Sequence, residues 1–369
     1  MKHSGSIALL TCLLLLACGC SERTALDAPL PDELAELGVL IRSADRLTPN
    51  EGIAYGLGHP LFSDYARKYR TLHLPAGAVA VQVDDDPART LEFPLGTVIT
   101  KTFYFPAGGA HGGGAAQVLL GPPTAFAGPD AALDTVGMRL LETRVLRRLA
   151  TGWEAVSYVW DPTGASARKA RTGALFTLGS ADGEIFDYLV PDANQCAGCH
   201  ATNHGSGAIA PIGPKPGNLA AVRMDHDSGH EHQYALWRAR GWVAGTATQA
   251  WPASGTAAAL AYLDANCAHC HSNEGAADTT GLDLRYTADT GGRGLCKSPV
   301  AAGRGSGGRA YDVWPGRADA SILVYRMNHR DPAVMMPELG RSLIHAEGVA
   351  KVSAWINAME GDCDAGALL

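Results

Sequence analysis

Alternation of apolar and polar side chains is most pronounced between residues 76 and 193. Residues 97–105 are rich in β-branched and aromatic side chains, which favour strands. Residues 139–146 and 153–160 have the pattern of two successive strands joined by a Thr-Gly turn. The pattern predicts a β-rich domain over residues 76–193, built as a sandwich or an open barrel.

Helical periodicity dominates the last third of the chain. An apolar segment at residues 257–266 predicts a helix that runs into a cysteine motif. Val349, Val352 and Ile356 share one face of a predicted closing helix, because they are spaced by three and four residues. These features predict a small all-α domain over residues 256–369.

The remaining segments connect these two parts. Residues 21–75 are expected to be a linker and strap, with a short amphipathic helix at 32–41. Residues 194–255 contain a cysteine motif and a helix expected near 233–240. We therefore expect a multidomain α+β protein with a β-rich part, a connecting segment and a helical part.

The first twenty residues have the pattern of an export signal. The apolar run at residues 7–17 is too short to be a permanent membrane span. Residues 15–18 resemble a bacterial lipobox, in which Cys18 becomes the lipidated N-terminus, with Cys20 as the alternative. An ordinary cleaved signal peptide is the other interpretation. In either case we expect an exported protein, and with lipidation a membrane-anchored lipoprotein of the periplasm.

The composition and net charge limit the kinds of partner that the protein is expected to bind. The chain has 369 residues and a net charge of −7. That length fits two or three domains. A mildly acidic chain without a basic run is a poor candidate for binding nucleic acid or an anionic membrane surface.

Four of the nine cysteines form two C-x-x-C-H motifs. Cys196, Cys199 and His200 make the first motif, and residues Cys267, Cys270 and His271 make the second. This motif is the attachment signature of c-type haem. The two thiols add to the porphyrin vinyl groups, and the adjacent histidine supplies an axial nitrogen to the iron. The sequence therefore predicts two haem c groups, with His200 and His271 as axial ligands.

Two other uses of paired cysteines fit less well. A zinc ribbon would separate its two pairs by about 15–20 residues, and here Cys199 and Cys267 are much farther apart in sequence. A thioredoxin-like redox pair needs a βαβ context and no following histidine.

Residues 256–369 resemble a class I cytochrome c domain, in the order of leading helix, haem motif, Met-Pro pair and closing helix. A wider resemblance to a family of exported dihaem c-type cytochromes rests on residues 93–103, 142–144, 194–200, 211–215, 266–271, 299–308 and 336–341. Members often accompany a parallel β-helix protein, which implies such a protein as a partner. The β-rich half also resembles, in layout, single-haem enzymes that oxidise hydroxylamine.

The sixth ligands of the two irons are harder to predict from the sequence than the fifth ligands. Met336, which precedes a proline, is the expected sixth ligand of the second haem, with Met335 as competitor and two core methionines as the alternative. For the first haem, either the position is open or the ligand is one of several candidates. These are Met224, His204, His226, His230, His232 and Lys215.

Two further expectations concern residues 296–363. Arg304 or Arg309, beside a glycine-rich loop, is expected to pair with a haem propionate. Cys296 and Cys363 are the two cysteines that remain, and in an oxidising compartment we expect them to form a disulfide, with two buried free thiols as the alternative.

The sequence thus indicates an electron-transfer protein that exchanges electrons with periplasmic redox partners. Two alternatives remain: a haem enzyme with catalysis at the first haem, and a cytochrome subunit of a periplasmic oxidoreductase complex.

Overall fold

The computed structural model describes residues 28–108, 115–122, 126–226, 229–300 and 302–363. Within them the protein is mixed α+β and sheet-rich, with six α-helices and several sheets. The expected export signal and its Cys18 and Cys20 lie outside the described residues. No helix of the described part has the length and apolar character needed to cross a bilayer.

Sixteen strands are present in the described residues. They are β1 Leu40–Arg42, β2 Arg46–Pro49, β3 Ile53–Tyr55, β4 Arg67–His73, β5 Ala80–Val81, β6 Val98–Pro106, β7 Ala116–Val118, β8 Leu133–Asp134, β9 Met138–Leu149, β10 Gly152–Trp160, β11 Ala167–Lys169, β12 Ala174–Ser180, β13 Ile185–Val190, β14 Arg223–His226, β15 Gly229–His232 and β16 Val243–Ala244. The α-helices are α1 Ala193–His200, α2 Pro216–Ala220, α3 Gln233–Ala239, α4 Gly255–Asn266, α5 Ile322–Met327 and α6 Ala346–Asn357.

The largest sheet has six strands in the order β11-β10-β9-β6-β4-β3, and every neighbouring pair is antiparallel. Its three central strands match the segments predicted at 97–105, 139–146 and 153–160. Residues 97–105, most of which lie in β6, formed the clearest sequence pattern because they are rich in β-branched and aromatic side chains. Three-stranded sheets β1-β2-β8 and β13-β12-β7 and two smaller pairs complete the β structure.

The N-terminal segment differs from its expected role as a linker and strap. Strands β3 and β4 belong to the six-stranded sheet. The amphipathic helix predicted at 32–41 is wrong: a 3-10 helix at Leu34–Leu37 ends at Gly38, and β1 follows. Gly38 adopts a φ of 73°, a left-handed conformation that glycine tolerates and that stops the helix.

The segment after the first motif packs back onto the six-stranded sheet. Leu219 and Trp237, from α2 and α3, are fully buried in one core cluster with Leu72 of β4 and Ile99 of β6. Strand β16 pairs in parallel with β5. These elements thereby cover one face of the sheet. They position the sheet against the first cysteine motif.

Helices carry the last third of the chain. Over residues 255–300 and 302–363 the only strand-type pairings are two isolated bridges. Val352 and Ile356 of the closing helix α6 are fully buried, as the spacing predicted. They pack with Leu263 of α4 and with α5 residues in a separate core.

The beginning and the end of the described chain are tied together. Asp64 Oδ1 accepts hydrogen bonds from the backbone N–H groups of Ser342 and Leu343, each at 2.7 Å. Leu343 also enters a core cluster of the sheet region, beside Phe103 and Phe105. The helical part is therefore attached to the sheet by buried contacts as well as by the chain.

Candidate functional site

The first motif lies on helix α1, directly after strand β13. A capping box starts this helix: Asp192 accepts a hydrogen bond from the Gln195 backbone N–H at 2.8 Å, and the Gln195 side chain accepts one from the Asp192 N–H at 3.0 Å. Cys196 and Cys199 are three residues apart on the helix, so both thiols lie on one side of it. The local sequence thus holds both sulfurs in a fixed arrangement.

The ring of His200 is oriented by a backbone carbonyl. Its Nδ1 lies 2.8 Å from the oxygen of Ala210, and because a carbonyl only accepts, Nδ1 must carry the proton. Burial lowers the pKa of His200 to about 4, and the charges of Lys101 and Arg144 act in the same direction. The imidazole is therefore neutral, with the lone pair on Nε2. This is the tautomer and support typical of a metal-ligating histidine.

The second motif begins where helix α4 ends. Its backbone forms tight turns, with the N–H groups of Cys270 and His271 donating to the oxygen of Cys267 at 3.1 and 2.8 Å. His271 Nδ1 lies 3.2 Å from Thr280 Oγ1, and that hydroxyl donates to the oxygen of Ala277 at 2.6 Å. The hydroxyl proton is thus engaged, so Nδ1 is the donor and Nε2 again keeps its lone pair.

The four motif thiols have no disulfide partner. Burial raises the pKa of Cys267 to about 12 and that of Cys270 to about 11. Among the described residues, no group of three or more His, Cys, Asp and Glu side chains is arranged to hold a metal ion. The donor sets that are present, two thiols and one oriented neutral imidazole at each motif, fit haem c.

The two motifs contact each other directly, although they are far apart in sequence. Cys270 Sγ lies 3.7 Å from the oxygen of Gly198, and the His204 N–H donates to the oxygen of Glu274 at 2.7 Å. His269, the variable residue of the second motif, has its pKa lowered to about 3, first by burial and then by the neighbouring His200. The structure thereby brings both predicted attachment sites into one region.

A cavity of about 100 Å³ lies between the first motif and the six-stranded sheet. This volume holds several water-sized molecules. Side chains of both polar and apolar character line it, among them Cys196, His200, Tyr55, His59, Arg70, Ile99, Lys101, Arg144 and Lys215.

Of the proposed sixth ligands of the first haem whose side chains the structure describes, Lys215 is the one that lines this cavity. Its Nζ is held at 2.6 Å by Asp264 Oδ1. Met224 is buried in β14, while His204 and His232 are exposed. The side chains of the two remaining candidates, His226 and His230, lie outside the described part.

Two residues that line the cavity, Lys101 and His59, were not predicted from the sequence. Lys101 is the only charged residue of β6, and a lone lysine within β-branched and aromatic neighbours was a usable signal. His59 had no such signal, because it lies in a glycine- and proline-containing loop. Its Nε2 lies 2.9 Å from the oxygen of Pro252, and burial lowers its pKa to about 4.

Met335 and Met336 lie in a loop that two arginines hold. The Met336 N–H donates to the oxygen of Arg326 at 2.9 Å, and Arg341 Nη2 donates to the oxygen of Met336 at 2.7 Å. Arg326 also acts on the second motif, since its charge adds to burial in lowering the pKa of His271 to about 4. Met335 is buried and Met336 is half-buried.

The two arginines expected at a haem propionate, Arg304 and Arg309, each contact other protein groups. Arg304 is exposed, with Nη2 at 3.5 Å from Asp331 Oδ2. Arg309 stacks on the ring of Tyr325, 4.1 Å from its centroid, and donates from Nε to the oxygen of Asp319. Neither residue lines the cavity at the first motif.

Cys296 and Cys363 lie at bonding distance, with 2.19 Å between their Sγ atoms. The bridge joins the long loop after the second motif to the segment beyond helix α6. Met336 lies between the two cysteines in sequence, within the loop that the bridge closes.

Comparison with known proteins gives no independent assignment. The chain matches no protein-family model, no curated protein and no solved structure.

Proposed function

We propose that the protein is a dihaem c-type cytochrome that transfers electrons on the outer side of a bacterial inner membrane. The observation that carries this proposal is the contact between the two C-x-x-C-H motifs, with Cys270 Sγ 3.7 Å from the oxygen of Gly198. Electron transfer between two redox groups slows steeply with distance. Attachment sites in direct contact therefore suit a chain whose purpose is to pass electrons from one haem to the next.

The residues of each motif have separable roles. The cysteine pairs anchor the porphyrin edge, and His200 and His271 offer Nε2 to the iron because Nδ1 is already engaged. When bound, haem c supplies an iron that accepts and releases a single electron. The surrounding protein limits water access, since Cys196 is buried and both histidines are half-buried.

For the second haem we propose a class I cytochrome c-like unit over residues 256–369. Helix α4 leads into Cys267 and helix α6 closes the unit, with the Met336 loop between them. We assign Met336 as the sixth ligand because its loop and the His271 site share Arg326, while Met335 is more deeply buried. A Met/His pair raises the reduction potential relative to two histidines.

A second candidate function is catalysis at the first haem. The cavity beside His200 favours it, because open space next to the proposed axial histidine can admit a small reactant. In that case the second haem acts as the electron relay. In either role we propose an exported protein, anchored through Cys18, that works with periplasmic redox partners, among them a parallel β-helix protein.

The test begins with haem stoichiometry. The pyridine haemochrome assay on the purified protein should give two c-type haems per chain, and Cys199→Ala should reduce covalent haem by half. Ser298→Ala, at an exposed residue outside both motifs and outside the disulfide, is the control and should keep both haems. One haem per chain, or zinc in place of haem, contradicts the proposal. EPR then separates the two roles: low-spin iron at both sites supports transfer, and high-spin iron at the first site supports catalysis.

A further inference from the structure

Three cations form a row across the six-stranded sheet. Arg70 of β4 pairs in register with Lys101 of β6, and Lys101 pairs with Arg144 of β9. Residues directly opposite each other on antiparallel strands project to the same face. All three side chains line the cavity that also contains Cys196 and His200.

This row has one acidic partner for three positive charges. Arg144 donates from Nε and Nη2 to the two carboxylate oxygens of Glu142, at 2.9 and 2.6 Å. Arg70, only 7% exposed, has one weak hydrogen bond, from Nη1 to the oxygen of Lys68 at 3.5 Å. Lys101 Nζ has no hydrogen bond or ion pair within the described residues, and it lies 5.2 Å from the centroid of the Phe103 ring.

The other ionisable side chains of the cavity wall do not supply the missing charge. Lys215 and Asp264 neutralise each other at 2.6 Å, and the second oxygen of Asp264 accepts the Tyr286 N–H at 2.9 Å. His59 is neutral, because burial lowers its pKa to about 4. Two buried cations, Arg70 and Lys101, therefore remain without a counter-charge, which is costly in a protein interior.

We propose that Arg70 and Lys101 form an oxyanion-binding site in the cavity of the first motif. The shared chemistry is that of a carboxylate or a small oxyanion. Two sources can supply it: the two propionates of the haem at Cys196 and Cys199, or an anion that enters from solution. Whichever source supplies the anion, the role of this site in the protein rests on the proposed function.

The two side chains suit this ligand in complementary ways. The Arg70 guanidinium offers a planar fork for two oxygens, and the Lys101 ammonium offers a point charge. Burial lowers the pKa of Lys101 to about 7, with Arg144 and Arg70 as further causes. A bound anion would oppose these causes and keep the ammonium charged.

The experiment compares the wild type with Arg70→Gln, Lys101→Met and the charge-retaining Lys101→Arg. Lys169→Met is the matched control, since Lys169 is on β11 of the same sheet, pairs with the exposed Asp32, and does not line the cavity. Haem content is measured first in every protein. The Soret band is then followed during titration with sodium nitrite and sodium formate, and both haem potentials are measured without added anion.

An anion from solution predicts a saturable spectral change in the wild type, Lys169→Met and Lys101→Arg, with affinity about tenfold or more weaker in Arg70→Gln and Lys101→Met. Propionates predict no response to added anion. They predict instead a lower potential of one haem in Arg70→Gln and Lys101→Met, and an unchanged potential in Lys169→Met. Wild-type potentials together with a wild-type anion response in both cavity variants would overturn the site.

Failure of the proposed function gives a different result. If the purified protein contains no haem, the site is read by thermal unfolding with and without sodium sulfate. The anion site then predicts a rise in Tm for the wild type and a smaller rise for Arg70→Gln and Lys101→Met. An equal rise in all of these proteins rejects the site independently of haem.

Discussion

Replacement of Lys215 by methionine should be among the more destabilising single changes in this cavity. Lys215 Nζ lies 2.6 Å from Asp264 Oδ1, and the two side chains are 16% and 0% exposed. Methionine keeps the apolar stem but leaves the Asp264 carboxylate buried with one hydrogen bond, from the Tyr286 N–H. Breaking a buried pair from one side costs about 3–5 kcal/mol. The Lys215→Met protein should lose that amount of unfolding free energy.

Urea unfolding measures this loss, followed by circular dichroism. Arg168→Met is the control, because Arg168 pairs with Glu33 at 81% exposure and should contribute only about 0–1 kcal/mol. The double variant Lys215→Met/Asp264→Leu should recover much of the loss, since it removes the stranded charge. The visible spectrum should stay unchanged, because the Lys215 amine is engaged by Asp264 and is not free to bind an iron. A loss below about 1 kcal/mol in Lys215→Met would refute this reasoning.

Three more predictions test other sites. Met336→Ala should abolish the sulfur-to-iron charge-transfer band and lower one haem potential. If the band persists in Met336→Ala but disappears in Met335→Ala, Met335 is the ligand. Cys363→Ser should lower stability by about 4 kcal/mol in the chain-entropy model, because the bridge to Cys296 spans 67 residues; alkylation of both native thiols argues against it. Burial raises the pKa of the Asp64 carboxyl to about 6 from 3.8. The contribution of Asp64 to the free energy of unfolding is therefore largest below pH 4 and is lost as the pH rises through 6. Asp64→Asn should flatten that decline in a pH series of unfolding curves, and an unchanged slope rejects the assignment.

The local parts of this fold could be predicted from sequence. Strands β9 and β10 are joined by a two-residue turn, so the residues that pair are close together in the sequence. The segment at 32–41 could not be predicted in the same way. Its residues Leu40–Arg42 become a strand through pairing with Arg46–Pro49, and this partner outweighs the helical spacing.

The candidate site likewise has a part that could be predicted from the sequence and a part that could not. Each C-x-x-C-H motif is a short contiguous pattern, so its residues could be named from sequence. The contact of Cys270 with Gly198 joins residues 72 positions apart, and no local pattern encodes it. The cationic row likewise arises from the register of three strands, which brings Arg70, Lys101 and Arg144 side by side.

The bond from Asp64 to Ser342 and Leu343 has a consequence for biosynthesis. A chain synthesised from its N-terminus presents residue 64 long before residue 342, because 278 positions separate them. Until the last segment arrives, the Asp64 carboxylate has no backbone partner there, and the apolar cluster around Phe103 and Phe105 lacks Leu343. Folding of the sheet region therefore reaches completion only after nearly the whole polypeptide has been synthesised. A stop codon shortly before residue 342 would damage the first half of the molecule as well as the last.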